Sequence, residues 1–89
     1  MQSRTTKRFR KAFSELPKSV KESAKNSFKR WIKNPELESL RFKKIHTIKP
    51  IYSVRVGRGW RALGVKEDDV MIWFWIGTHA DYDNLIKKL

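Results

Sequence analysis

Apolar positions change their period half-way along this chain. Phe9, Ala12, Phe13 and Leu16 fall at i, i+3, i+4 and i+7, which predicts a short amphipathic helix ended by Pro17. Val20, Ala24, Phe28, Trp31 and Ile32 carry the same period through residues 18–33. Asn34-Pro35 closes that second helix, because a proline disfavours the α conformation at the residue before it. The two helices form a hairpin whose outer face is Lys and Arg. Beyond Pro50 the pattern becomes extended. Ile51–Val56 is rich in β-branched residues, Gly57-Arg58-Gly59 reads as a turn, and Trp60–Val65 resumes the strand. Lys66–Asp69 is a second turn, and Val70–Ile76 is apolar at every position, as in a central strand buried on both faces. Thr78, followed three residues later by Asp81, resembles a capping box and starts a last helix with Leu85, Ile86 and Leu89 on its apolar side. Residues 2–6 suggest a leading edge strand, and Leu40, Phe42 and Ile45 a further extended segment. The expected fold is α+β: an antiparallel meander of three to four strands, packed by an N-terminal helical hairpin and followed by a short C-terminal helix. Residues 1–89 are read as one domain.

The turn lengths fix a provisional register. A three-residue turn at 57–59 and a four-residue turn at 66–69 set Val56 opposite Trp60, Arg55 opposite Arg61, Val65 opposite Val70 and Arg61 opposite Phe74. One face then collects Tyr52, Val54, Val56, Trp60, Ala62, Met71, Trp73 and Trp75, an apolar set suited to lie beneath the helices. The other holds Arg55, Arg61, Leu63, Ile72, Phe74 and Ile76. Two arginines directly opposed across a strand pair cost stability unless an anion lies between them. The competing reading pairs them with Asp81, Asp83 or the terminal carboxylate. A change of one residue in either turn would flip the faces.

Charge sharpens the picture. The 89 residues carry 21 Lys and Arg against nine Asp and Glu, a formal net charge of +12. Residues 1–33 alone hold eleven basic and two acidic side chains, whereas residues 70–89 are balanced. An excess of this size favours a polyanionic partner, with a merely solvated basic face as the plainer alternative. Eleven aromatic residues, four of them Trp, argue against a disordered polycation. No apolar run approaches the roughly 18 residues of a membrane span, and no secretory signal is visible, so a cytoplasmic domain is expected. The chain has no cysteine, which removes disulfides, thiolate nucleophiles and Cys-ligated zinc together.

Few residues carry candidate chemistry. His79 follows the central strand and enters the first turn of the last helix, at the end of the sheet that holds the two arginines. Helix N-termini favour phosphate. Tyr82 lies about one helical turn from Thr78, facing the same groove or packing as an ordinary amphipathic side chain. Lys43 and His46 precede the meander. A metal site is not expected: His79, Asp81 and Asp83 do not share one side of a helix, and the other histidine is 33 positions away. No nucleophile triad or phosphate-binding glycine loop is present, and no cofactor is expected.

The stretches YSVRVGRGWRALGV (52–65) and WFWIGTHADYDNLI (73–86), separated by a short acidic turn, resemble the C-terminal half of RelE/ParE superfamily toxins of type II toxin–antitoxin systems. LPKSVKESAKNSFKRWIKNP (16–35) is similar to that family's helical hairpin, which commonly closes on Asn-Pro. The resemblance spans essentially the whole chain. It implies a compact sheet packed by two N-terminal helices, with a groove on its open side. Many such toxins are ribosome-dependent mRNA endonucleases that use the RNA 2′-hydroxyl as nucleophile, need no metal, and are neutralised by a cognate antitoxin. By this resemblance, Arg55 and Arg61 match phosphate-stabilising sheet positions, His79 a C-terminal catalytic histidine and Tyr82 a terminal tyrosine. Lys43, His46 and Arg58 are the expected RNA contacts, with mRNA and rRNA as partners. The family varies its acid and base freely, and other branches poison DNA gyrase without cutting RNA. A gyrase inhibitor, or a plain basic nucleic-acid-binding module, therefore stands as the alternative.

Overall fold

The computed structural model describes residues 2–89. In chain order they form β1 (Gln2–Thr5), α1 (Lys7–Ser14), α2 (Lys18–Lys33), a 3₁₀ turn at Glu38–Leu40, β2 (Lys43–Lys44), β3 (Ile51–Gly57), β4 (Trp60–Glu67), β5 (Val70–Thr78) and α3 (His79–Ile86). The architecture is the expected α+β one. β3, β4 and β5 make the antiparallel meander, β2 extends it at one edge, and β1 pairs with β5 at the other, giving the order β1-β5-β4-β3-β2. The β1–β5 pairing is parallel, so the sheet is mixed. A parallel neighbour needs a long crossover, and here most of the chain lies between the two strands.

The helices begin and end where the sequence punctuates them. Thr6 caps α1, its Oγ1 accepting from the Phe9 N–H at 3.1 Å. Pro17 precedes α2, and its carbonyl accepts from the Val20 and Lys21 N–H groups. Asn34 closes α2 by donating its N–H to the Arg30 carbonyl at 2.8 Å. Arg30 and Lys33 occupy the last turn, where cations suit the helix dipole.

Both turns of the meander are tighter than their spacing suggested. Gly57, not Val56, pairs with Trp60, so only Arg58 and Gly59 turn the chain. Gly59 takes φ +77°, a conformation glycine reaches without steric cost. Arg55 still faces Arg61, because the pairing shifts by one residue at Val56. At the other turn Glu67 pairs with Val70 around Asp68-Asp69, with Asp68 at φ +53°. Val65 therefore opposes Ile72 rather than Val70, and Arg61 opposes Gly77 rather than Phe74.

A second irregularity reverses one expectation about the core. Gly64 pairs with Trp73 but Leu63 with Trp75, leaving Phe74 as the extra residue. A bulge of this kind exchanges the faces of everything beyond it. Ile76 thus joins the core and Trp75 leaves it. The Trp75 ring lies over Gly77, where an added Cβ would sit 2.6 Å from its Cζ2.

The core lies between α1, α2 and one sheet face. It is built from Phe9, Ala24, Trp31, Leu40, Val54, Val56, Ala62, Met71, Trp73 and Ile76. Trp31 and Trp73 meet edge-to-face, with centroids 5.3 Å apart at 76°. Neither indole N–H has a hydrogen-bond partner among the described residues, a cost that the aromatic packing has to offset. Gly64 makes room for this cluster: an added Cβ would lie 2.8 Å from Trp73 Cε3 and 2.9 Å from Met71 Sδ. On the opposite face α3 packs through Tyr82, which is 5% exposed and donates its hydroxyl to Ser53 Oγ at 3.2 Å. That helix covers only part of the face. The end carrying Arg55 and Arg61 stays open.

Candidate active site

The register of the meander assembles the site. With Arg55 paired to Arg61, Arg61 to Gly77 and Trp60 to Thr78, both arginines lie at the end of the sheet where β5 becomes α3. Thr78 caps that helix, its Oγ1 accepting from the Asp81 N–H at 3.1 Å. The His79 N–H donates to the Gly59 carbonyl at 2.8 Å and ties the first helical residue to the β3–β4 turn. His79 is thereby fixed through its backbone while its side chain remains half exposed.

A recess of about 370 Å³ opens there, lined by Arg41, Lys43, Ser53, Arg55, Arg61, His79 and Tyr82. Four of these seven side chains are permanent cations at neutral pH, and none is a carboxylate. Burial, and then repulsion from Arg55, push the Arg61 guanidinium below its ordinary range. It remains charged at neutral pH, and an arriving anion would offset the repulsion from Arg55. Arg61 Nη1 donates to the Trp60 carbonyl at 3.0 Å, which fixes part of the guanidinium and leaves its other donors free of side-chain partners among the described residues. The alternative pairing with Asp81 or Asp83 is not formed. The one contact at ion-pair distance among the described residues is His79 Nε2 to Asp83 Oδ2 at 3.5 Å, an ion pair only when the imidazole is protonated.

Tyr82 orients the histidine. Its ring stacks on the imidazole with centroids 5.8 Å apart at 21°, while its hydroxyl is engaged by the buried Ser53. The half-exposed imidazole thus has the Tyr82 ring and the Asp83 carboxylate as side-chain neighbours. Among the lining residues His79 alone carries an imidazole, which has one nitrogen to accept a proton and one to donate it.

The structure brings together Arg55, Arg61, His79, Tyr82 and Lys43 and leaves out His46 and Arg58. His46 Nδ1 accepts from the backbone N–H groups of Ile48 and Lys49 at 3.1 and 2.9 Å. The proton then resides on Nε2, 3.2 Å from the Leu89 carbonyl. The ring clamps its own loop to the C-terminal segment instead of facing the recess. Arg58 sits in the β3–β4 turn and lines a different cavity. Two lining residues escaped the sequence reading. Ser53 shares the alternation of Arg55, a signal that was available. Arg41 gave none: it follows the 3₁₀ turn in a left-handed conformation, φ +47° and ψ +40°, which a non-glycine residue adopts at a cost.

A family model described as the ParE-like toxin domain matches residues 18–84. The chain belongs to the ParE-like toxin family. As a toxin domain of a toxin–antitoxin system it has the fold that the resemblance in its sequence implied. Comparison with curated proteins finds no match. Solved structures extend the likeness in shape. A chain of the RelB–RelE antitoxin–toxin complex from Methanococcus jannaschii superposes with a TM-score of 0.72 at 19% identity, over 92% of this chain and 96% of that one. YafQ from Escherichia coli gives 0.71 at 17% identity, over 91% and 96%. The isolated Escherichia coli RelE toxin gives 0.68 at 18% identity, over 99% and 98%. At these identities the likeness carries the fold and not the chemistry. Among the described residues of this toxin, no helix is long and apolar enough to cross a membrane.

Proposed function

We propose that this toxin is a metal-independent endoribonuclease that cleaves mRNA on the ribosome and so inhibits translation. The observation that carries the reading is the recess itself: one imidazole, held by its backbone, a stacked ring and Asp83, faces four cations with no carboxylate among the lining side chains. Cleavage within RNA needs little more. The 2′-oxygen forms a bond to phosphorus as its proton leaves, the bond from phosphorus to the 5′-oxygen breaks, and that oxygen takes up a proton. The products are a 2′,3′-cyclic phosphate and a 5′-hydroxyl. His79 serves one of the two proton transfers as general acid or base. Arg55 and Arg61 stabilise the added charge of the pentacoordinate phosphorus, and they are prepaid for it, since an anion relieves their mutual repulsion. Tyr82 positions the imidazole, and Lys43 and Arg41 hold the strand at the mouth of the recess.

The N-terminal Lys and Arg face, which supplies most of the net charge, suits rRNA. A neutralising antitoxin is the second partner. Toxins of this fold are known in complex with antitoxins, as in RelB–RelE and DinJ–YafQ. Here an apolar groove of about 420 Å³ between α1 and α2, lined by Phe9, Phe13, Phe28, Ile32 and Trp73 and edged by Arg10, Lys25 and Lys29, suits an amphipathic helix with acidic flanks.

Membership of the ParE-like family favours a second reading, a gyrase inhibitor that needs no imidazole. Expression without an antitoxin separates the two. Primer extension should show new 5′ ends within translated mRNA soon after induction, and none on His79→Ala. Intact mRNA with inhibited supercoiling and a DNA-damage response would instead assign the gyrase activity.

A further inference from the structure

Arg55 belongs to two cavities. One is the recess with His79. The other, also about 370 Å³, lies where α2 meets the β3–β4 turn, and there Arg55 is joined by Arg30 from the last turn of α2 and Arg58 from the turn. The remaining polar lining of this second cavity comes from Ser23, Asn26, Ser27 and Ser39, and no carboxylate contributes. Ser27 is 4% exposed, a hydroxyl set deep in a region that an apolar residue would otherwise fill. None of the three arginines makes an ion pair among the described residues. Gly57 lets the strand close on the helix at this point, since an added Cβ would lie 3.3 Å from Ser23 Cβ.

Three arginines lining one cavity with no counter-charge make it electropositive, and the hydroxyl and amide groups around them match the oxygens of a phosphate. We propose that this second cavity seats a backbone phosphate of the substrate RNA next to the scissile one, with Arg55 spanning both. The shared arginine is what assigns the phosphate to the same strand: a chain of phosphates leaving the catalytic recess past Arg55 meets Arg58 and Arg30. The second seat would hold the strand in register over His79 without touching the reacting atoms, so Arg30 and Arg58 are positioning residues. This inference rests on the RNA reading above.

The test measures binding of two non-cleavable single-stranded RNAs, each with 2′-deoxy at the scissile position: a dinucleotide with one phosphate and a pentanucleotide. Wild type is compared with Arg30→Gln/Arg58→Gln and with Arg61→Gln, all in the full chain. Arg30 and Arg58 are exposed, and thermal melting checks that their replacement leaves the fold intact. The double variant should bind the dinucleotide as wild type does. It should bind the pentanucleotide at least tenfold more weakly, with a slope of log K against log salt shallower by about 0.7, the value for one phosphate on a single strand. Arg61→Gln should weaken both ligands. If the double variant binds the pentanucleotide with wild-type affinity and slope while Arg61→Gln still weakens both, the second seat is refuted and the catalytic reading stands. If wild type binds neither RNA at low salt, or Arg61→Gln changes neither, the RNA reading fails and this inference with it.

Discussion

The opposed arginines make a prediction about stability that is separate from any activity. Arg55 and Arg61 face each other across β3 and β4, and neither has a carboxylate partner among the described residues. Like charges directly opposed in an antiparallel pair cost about 0.2–1 kcal/mol. Arg61 also bears a burial cost, seen in its lowered pKa, and makes one compensating bond to the Trp60 carbonyl. A single substitution would mix these contributions with lost packing, so the clean perturbation is a double-mutant cycle of Arg55→Met and Arg61→Met. Removing either arginine from wild type should be more favourable, by about 0.2–1 kcal/mol, than removing it when the other is already gone. For a domain of this length that coupling equals about 1–8 °C in Tm, taking about 4–8 °C per kcal/mol. Urea unfolding of the four proteins in low salt measures it. The coupling should shrink in about 1 M NaCl, where the Debye length falls to about 3 Å. Added phosphate should stabilise wild type most and the double variant least. A coupling of zero, or one showing that the arginines support each other, would mean that they are not an empty anion seat.

Three further outcomes follow from the geometry. Gly64→Ala should cost about 1–3 kcal/mol in urea unfolding, because its Cβ would overlap the buried Trp73 and Met71. Gly77→Ala should cost less, since the Trp75 ring it meets is only partly buried and can swing aside. His46→Ala should lower stability by about 1–2 kcal/mol, through loss of its bonds to Ile48, Lys49 and Leu89, yet leave RNA cleavage near the wild-type rate. Ile32→Asp, at a position 54% exposed on the α1–α2 groove, should weaken neutralisation by the antitoxin in co-expression without reducing toxicity.

Helices and the meander were legible because their signals are local. Pro17 and Asn34-Pro35 punctuate the hairpin, and Thr78 marks α3 with a cap that the structure contains. The Arg55–Arg61 pairing followed from the short β3–β4 connection, and it survived a one-residue error in that turn because the shift at Val56 compensates. The β4–β5 side was less readable. Asp68 accepts a left-handed conformation that shortens the turn to two residues, and a run apolar at every position gives no alternation from which to find the bulge at Phe74. Trp75 was therefore assigned to the core that Ile76 enters. The parallel pairing of β1 depends on a crossover through both helices, which no local pattern encodes. Of the site, the residues on regular strands and at a capped helix start were accessible. Arg41, itself in a left-handed conformation between a 3₁₀ turn and a two-residue strand, was not.

His79 acting on RNA is the central proposal. Single-turnover cleavage of mRNA on programmed ribosomes, comparing wild type with a His79→Ala variant of matched stability, tests this most directly. The rate should fall by about 10²–10⁴-fold, the usual worth of a positioned acid or base, while ribosome binding is retained. Cleavage by the variant at the wild-type rate would contradict it.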